Sequence, residues 1–320
     1  IGADAKSAEG SLAMFLGSLA ALAITFALYP DSGLEVGHAL QHYPTAVLLA
    51  FVAIALFVTV WEAASSHGLD NLTVPLMAGL ALHLCFTGGE PAMLRFAAGV
   101  GLGLCIALAA YGLRMLTLSG AAATFLLASI VFGIGGWQWT LPVFAFFLLS
   151  SLLSRWRRAR KQRFDSMFEK GGTRDAGQVA ANGAIVGALA IVWYLWGSDS
   201  LYLLSLVAVA VVTADTWGTE LGVLARKQPR SIITGKSVPA GTSGGVTFAG
   251  TLGGALGAAI VTSAALPFMD LTDVWYLLIV LLGVAGSAID SVLGATIQAQ
   301  YRCAACHADT ERSRLSMAEQ

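Results

Sequence analysis

Residues Ala214 to Gly245 read ADTWGTELGVLARKQPRSIITGKSVPAGTSGG, with an apolar run on either side. Before them stands SLYLLSLVAVAVVT (200–213), and after them VTFAGTLGGALGAAIVTSAALPFM (246–269). Such runs suit the hydrocarbon core of a bilayer, which about 20 apolar residues cross as a helix. The stretch between them is therefore expected at a membrane surface. It gathers Asp215 and Glu220 at its front, Arg226, Lys227, Arg230 and Lys236 in its middle, and Gly241, Gly244 and Gly245 at its end. Paired carboxylates hold a hard cation, Arg and Lys hold phosphate oxygens, and a Gly/Ser/Thr segment can turn backbone N–H groups towards an anion. No other part of the chain collects so many of these groups.

The flanking pattern recurs along the chain. Of 320 residues, 57% are hydrophobic and 12% charged, and mean hydropathy is +0.74; a soluble domain carries about 25% charge. An all-α, polytopic integral membrane protein is expected, with about ten spans near 11–29, 45–62, 72–88, 92–112, 118–135, 140–154, 178–197, 200–214, 246–267 and 274–298. The third and eighth are short enough to be tilted, broken or re-entrant. Connections carrying Lys6, Arg114, the run Arg155 to Arg174, the loop Arg226 to Lys236, and Arg302, Arg312 and Arg314 alternate with connections that hold no Lys or Arg. The positive-inside rule makes the basic set, and both chain ends, cytoplasmic. The chain starts at Ile1, so its natural N-terminus is expected to lie further upstream.

Other polar groups stand out against this background. The basic stretch RWRRARKQRFDSMFEK (155–170) reads as a topology anchor that attracts anionic head groups. Arg174, Gln178 and Asn182 follow it, and the last two share a helix face, either capping the helix or lining a wet cavity. Asp290 lies deep in the last apolar run, where a carboxylate is costly and faces a partner, cavity or metal. Gln298 lies two turns further on. The glycines of 244–257 read as helix-packing residues inside the span, whereas Gly241, Gly244 and Gly245 read as a backbone turn. A polar turn at Lys6, an apolar span, then Glu62 and Asp70 give the N-terminal third a weak echo of the C-terminal third.

CAACH (303–307) matches a haem-attachment pattern, but it falls on the cytoplasmic side. Cys303 and Cys306 make at most a partial zinc knuckle, which needs about four ligands. The histidines are scattered and form no cluster.

Two resemblances rest on these residues. KSAEGSLAMF (6–15), Glu62 and LDNLTVP (69–75) resemble the C-terminal half of the phytol/dolichol kinase family. That family's upstream Ala-Asp segment is absent, so residues 1–90 are expected to be an incomplete domain. Residues 91–111 would form a connecting helix. From about 112 to 320 the chain resembles the membrane family that includes plant phytyl-phosphate kinase, through SGAAATF, EKGGTRDAGQVAANG, ADTWGTELG, SVPAGTSGGVTFAGTLGG and IDSVLGATIQAQYRC. Trp217 and Gly218 depart from its pattern, where smaller or hydroxylated residues are expected.

The resemblance implies phosphoryl transfer from a nucleoside triphosphate, CTP above all, to a prenyl monophosphate such as phytyl or geranylgeranyl phosphate, with Mg²⁺ as cofactor. It implies Asp215, Glu220 and Asp290 as metal ligands, and Arg230 and Lys236 on the triphosphate. Pro239, Gly241, Thr242, Gly244, Gly245, Ser291 and Gln298 would line the nucleotide or substrate site, and Arg174, Gln178 and Asn182 would hold the acceptor phosphate or nucleotide. The setting implied is a bacterial inner membrane with the site on its cytoplasmic face, and no nucleic-acid partner. A prenol kinase, a cytidylyltransferase at the same site, and a transporter built on Asp290 and an internal repeat stand as alternatives.

Overall fold

The computed structural model describes residues 6–29, 36–66, 68–156, 173–225, 227–297, 301–302 and 309–310. Within them the chain is helical almost throughout: α1 (Ala8–Leu28), α2 (Val36–His42), α3 (Pro44–Ala64), α4 (Asp70–Thr87), α5 (Gly89–Gly112), α6 (Leu118–Arg155), α7 (Ala176–Trp196), α8 (Asp199–Gly222), α9 (Phe248–Ser263) and α10 (Asp273–Thr296). Four two-residue strands, β1 (Arg230–Ser231), β2 (Gly245–Val246), β3 (Tyr301–Arg302) and β4 (Asp309–Thr310), pair antiparallel as β1–β2 and β3–β4.

Helix starts follow from short side chains that occupy otherwise unpaired amides. Ser7 caps α1 by accepting from the Gly10 amide, Thr247 caps α9 through the Gly250 amide, and Thr272 caps α10 through the Trp275 amide. Pro44 opens α3, where its missing N–H costs nothing.

Seven of these helices are long and apolar enough to cross a bilayer, fewer than the ten spans expected, and the shortfall has three physical sources. α9 has 16 residues, about 24 Å at 1.5 Å per residue, which is short of a core about 30 Å thick. α4 carries Asp70, Asn71, Thr73, Pro75 and His83 along its length, and these dilute its hydropathy. The runs at 118–135 and 140–154 join into α6, a 38-residue helical segment broken at Gly136, whose φ of 60° and ψ of −151° are non-helical. Only glycine adopts such a conformation without strain. The eighth run is neither short nor broken: α8 continues eight residues past 214, to Gly222.

The chain forms two compact units. One comprises Ile1–Thr140 with Arg174–Asp199. Its core includes the ring cluster Phe26, Phe51 and Phe86, with centroids 5.2 Å apart for Phe26–Phe51 and for Phe26–Phe86, and Phe57 edge-on to Phe96. α5 and α6 approach until a Cβ at Gly99 would stand 2.9 Å from the Gly133 amide. Outside the apolar segments, Lys6 makes ion pairs with both Glu62 and Asp70, the latter at 3.1 Å, and so ties the start of α1 to the end of α3 and the start of α4. Its hydrogen bond to Glu62, and secondly that to Asp70, push the Lys6 ammonium above its ordinary range.

The second unit comprises Leu141–Thr173 with Ser200–Gln320. α8 packs against both α9 and α10 through glycine. A Cβ at Gly254 would lie 2.6 Å from the Ala214 carbonyl, and one at Gly250 would lie 2.6 Å from the Gly218 carbonyl. On the α10 side, Gly286 would meet the Val211 side chain at 2.5 Å and Gly283 the Ala210 Cβ at 3.0 Å. Small residues permit this backbone contact, and dispersion and packing then hold the helices. The glycines of 250–257 are packing residues, as their spacing suggests.

Candidate functional site

Because α8 runs to Gly222, Asp215 and Glu220 are both helical. Five residues along an α-helix is a rotation of about 140°, so the two carboxylates face different neighbours. Asp215 faces α10, where the Ser287 hydroxyl donates to its Oδ1 at 3.4 Å. Asp290, three residues beyond Ser287 and so on the same face of α10, is near enough for its charge to act on Asp215. Gly283 and Gly286 thus bring α10 onto α8 at Ala210 and Val211, about one turn before Asp215. Glu220 instead accepts a hydrogen bond from Ser154 in the C-terminal part of α6, and the Trp217 indole donates to Ser150, one turn earlier, at 3.1 Å.

The expected three-carboxylate metal site is therefore not assembled. Among the described residues no group of three His, Cys, Asp or Glu side chains is placed to hold a metal ion. What remains is the pair Asp215 and Asp290, two like charges whose repulsion a cation between them relieves. That donor set fits Mg²⁺, which uses one or two carboxylates and takes the rest of its shell from phosphate and water.

The loop after α8 folds onto the end of α10. β1 and β2 pair Arg230 with Val246 and Ser231 with Gly245, and the Ile232 amide donates to the Gly244 carbonyl at 2.9 Å. Gly244 has φ 73°, and a Cβ there would stand 2.4 Å from the Ala295 Cβ and 2.8 Å from the Ser291 carbonyl. Only glycine can sit so close to α10 in that backbone region. Gly241 is also left-handed, at φ 90°. The glycine turn and Ser291 are thus brought together, one residue past Asp290.

The backbone-donor expectation narrows. The Thr242 amide is bonded to the Pro239 carbonyl at 3.3 Å and the Gly245 amide to the Thr242 carbonyl at 2.9 Å, so neither is available to an anion. Among the described residues, Gly241 and Gly244 remain as candidate donors. Arg230 is exposed on β1 and donates to the Gly235 carbonyl at 3.4 Å. Lys236 and Pro239 are exposed as well, and the Lys236 carbonyl accepts from the Ser231 amide at 2.9 Å.

Arg174, Gln178 and Asn182 belong to the first unit. Gln178 is taken up by a capping box: its amide donates to Asp175 Oδ1 at 2.8 Å and its own Oε1 accepts from the Asp175 amide at 3.1 Å. Of the two readings open for it, capping is the one the structure has. The Arg174 backbone is bonded to Met115 and Thr117, and Asn182 is half-buried one turn after Gln178. Gln298, Cys303, Cys306, His307 and Arg226 lie outside the described residues, as does 157–172 of the basic stretch. Sequence reasoning missed Ser287, Ser150 and Ser154. Each had a signal: Ser287 precedes Asp290 by three, and the other two are four apart in an apolar run.

Residues 101–320 match the family described as Integral membrane protein DUF92. The chain belongs to that family. Protein PGR of Arabidopsis thaliana is 37% identical over 223 residues, covering 62% of this chain and 77% of that protein. An uncharacterized membrane protein of Methanocaldococcus jannaschii is 32% identical over 186 residues, covering 58% of this chain and 76% of its own length. A third, from Synechocystis, is 29% identical over 197 residues, covering 59% and 74%. No solved structure matches. The DUF92 match contains Asp215, Asp290, their serine partners and the glycine turn, whereas Lys6, Glu62 and Asp70 precede it.

Proposed function

We propose that this DUF92 protein is a membrane phosphotransferase that moves the terminal phosphoryl group of a nucleoside triphosphate, CTP by preference, onto a prenyl monophosphate. The observation that carries this reading is the juxtaposition of Asp215 and Asp290 with the Gly244 turn on α10. A phosphate oxygen of the acceptor attacks the γ-phosphorus, the bond from that phosphorus to the β–γ bridging oxygen breaks, and the nucleoside diphosphate leaves. The attacking oxygen is already an anion, so no side chain need act as base; positioning and charge neutralisation do the work.

In this reading Asp215 and Asp290 hold Mg²⁺, which neutralises charge on the transferred phosphoryl group. Ser287 orients Asp215. Arg230 and Lys236 bind triphosphate oxygens, with Gly241 and Gly244 as backbone donors. Glu220, bonded to Ser154, fixes the end of α8 rather than the metal. The acceptor tail stays in the bilayer while its phosphate meets the site at the cytoplasmic surface, the side given by the Lys and Arg distribution. The same distribution favours α6 crossing twice, with Gly136 between its halves on the opposite side.

The test is turnover by the purified protein with CTP and geranylgeranyl monophosphate. Formation of the diphosphate is expected to require Mg²⁺ and to fall at least about 100-fold in Asp215→Asn. Full activity in a folded Asp215→Asn protein would remove the proposed site.

A further inference from the structure

We infer that His38 and His42 on α2 form a two-histidine site for a borderline divalent transition ion of the class of Cu²⁺, Zn²⁺ and Ni²⁺. The inference is independent of the phosphotransferase reading, because α2 lies ahead of residues 101–320, which carry the DUF92 match.

The histidines look scattered along the sequence, yet α2 brings these two together. They stand four apart in HALQH, about 40° round the helix axis, and so share one face. Their rings stack, with centroids 4.0 Å apart and planes 19° apart. His42 Nδ1 lies 2.9 Å from the His38 carbonyl oxygen. A carbonyl only accepts, so Nδ1 carries the proton and Nε2 of the neutral ring keeps its lone pair. Such a backbone bond commonly fixes a metal-binding histidine in one tautomer and orientation. The His38 ring stacks on His42, and among the described residues its nitrogens have no hydrogen-bond partner. Both side chains are exposed, so an ion reaches them from solvent.

The helix that carries them is fixed in place. Ala39 is buried, the Tyr43 amide donates to its carbonyl at 2.7 Å, and Pro44 opens α3 directly afterwards. Imidazole nitrogens bind these ions at about 2.0–2.1 Å, so two of them on one ion lie about 3.0–3.4 Å apart. Rings already 4.0 Å apart reach that spacing by a small splay of two exposed side chains. The stretch PDSGLEVGHALQHYP (30–44) carries Asp31 and Glu35 and no Lys or Arg, and this charge favours a cation. Imidazole selects borderline transition ions, whereas Mg²⁺ and Ca²⁺ take oxygen ligands. Structural zinc sites close the shell with four protein ligands. Two ligands leave the other positions to water, which makes this a site of exchange.

The test is Cu²⁺ titration of the full chain, with its cysteines replaced by serine, in phosphatidylcholine nanodiscs and excess Mg²⁺, read by electron paramagnetic resonance. One Cu²⁺ per chain is expected, coupled to two nitrogens and displaced by Zn²⁺. His38→Asn and His42→Asn should each weaken binding at least about 100-fold, because the second ligand no longer binds within the same chain. Leu40→His combined with His42→Asn keeps the number of histidines but sets them two apart, about 200° round the helix. It should not restore binding. His83→Asn should leave binding unchanged. All four positions are exposed, and metal-free melting temperatures should match that of the natural protein. No Cu²⁺ uptake, or uptake that survives loss of both His38 and His42, would overturn the inference. A four-nitrogen signal at one ion per two chains would do so as well, by making the ion a bridge between copies.

Discussion

At residue scale, the chemistry of this chain turns on which carboxylates a helix brings together. Asp215 and Glu220 look equivalent in the string ADTWGTE, and only the continuation of α8 past 214 turns them to different neighbours. Mg²⁺ dependence should therefore separate them. Asp290→Asn is expected to raise the Mg²⁺ concentration for half-maximal activity about tenfold, some 1.4 kcal/mol, whereas Glu220→Gln leaves that concentration unchanged and lowers thermal stability through Ser154. A larger Mg²⁺ shift in Glu220→Gln would restore the three-carboxylate arrangement. Gly244→Ala should cost about 1–3 kcal/mol, because it forces a side chain into a left-handed backbone and against Ala295. Chemical unfolding in detergent would measure the loss. Gly244 and Asp290 were both legible as special positions. That Trp217 and Gly218 serve packing, against Ser150 and Gly250, was not, because their partners lie far away in sequence.

At element scale, the apolar runs foretold the helices, and short polar residues foretold several of their starts. Lengths were harder. Asp215, Thr216 and Glu220 read as the end of a span, yet polar residues continue a helix when packed neighbours shelter them, as α9 and α10 do here. The close contact of α8 and α9 predicts that Gly254→Val is destabilising by about 1–3 kcal/mol, through overpacking against the Ala214 carbonyl. The helix ends joined by Lys6 give a pH signature. Its folded-state value is raised, so its contribution is complete below the ordinary lysine value of 10.5 and is lost as pH climbs above that through the raised value. The gap in melting temperature between the natural protein and Lys6→Met should be constant from mildly acidic pH up to that point, close beyond it, and shrink again in strong acid as Asp70, which its hydrogen bond from Lys6 holds below the ordinary 3.8, takes up a proton. A gap that closes in mild acid instead would assign the effect to the carboxylates alone.

At the scale of the whole molecule, hydropathy and charge alternation established a membrane protein, and the DUF92 match agrees. They did not establish how often the chain crosses. α6 is about 57 Å long if summed as one helix, nearly two bilayer cores, and its break at Gly136 permits two crossings. In a cysteine-free background, a cysteine at Trp137 should then react with an impermeant maleimide from the side opposite to one at Lys227. Reaction of both from the same side would leave α6 crossing once or not at all.

The central claim is tested most directly by following two labels of CTP in the same reaction with geranylgeranyl monophosphate. The account predicts that γ-labelled phosphate appears in geranylgeranyl diphosphate, that α-label stays in CDP, and that formation of both products falls at least about 100-fold in Asp215→Asn. Label from the α-phosphate in the lipid, with pyrophosphate released, would contradict phosphoryl transfer and make the protein a cytidylyltransferase.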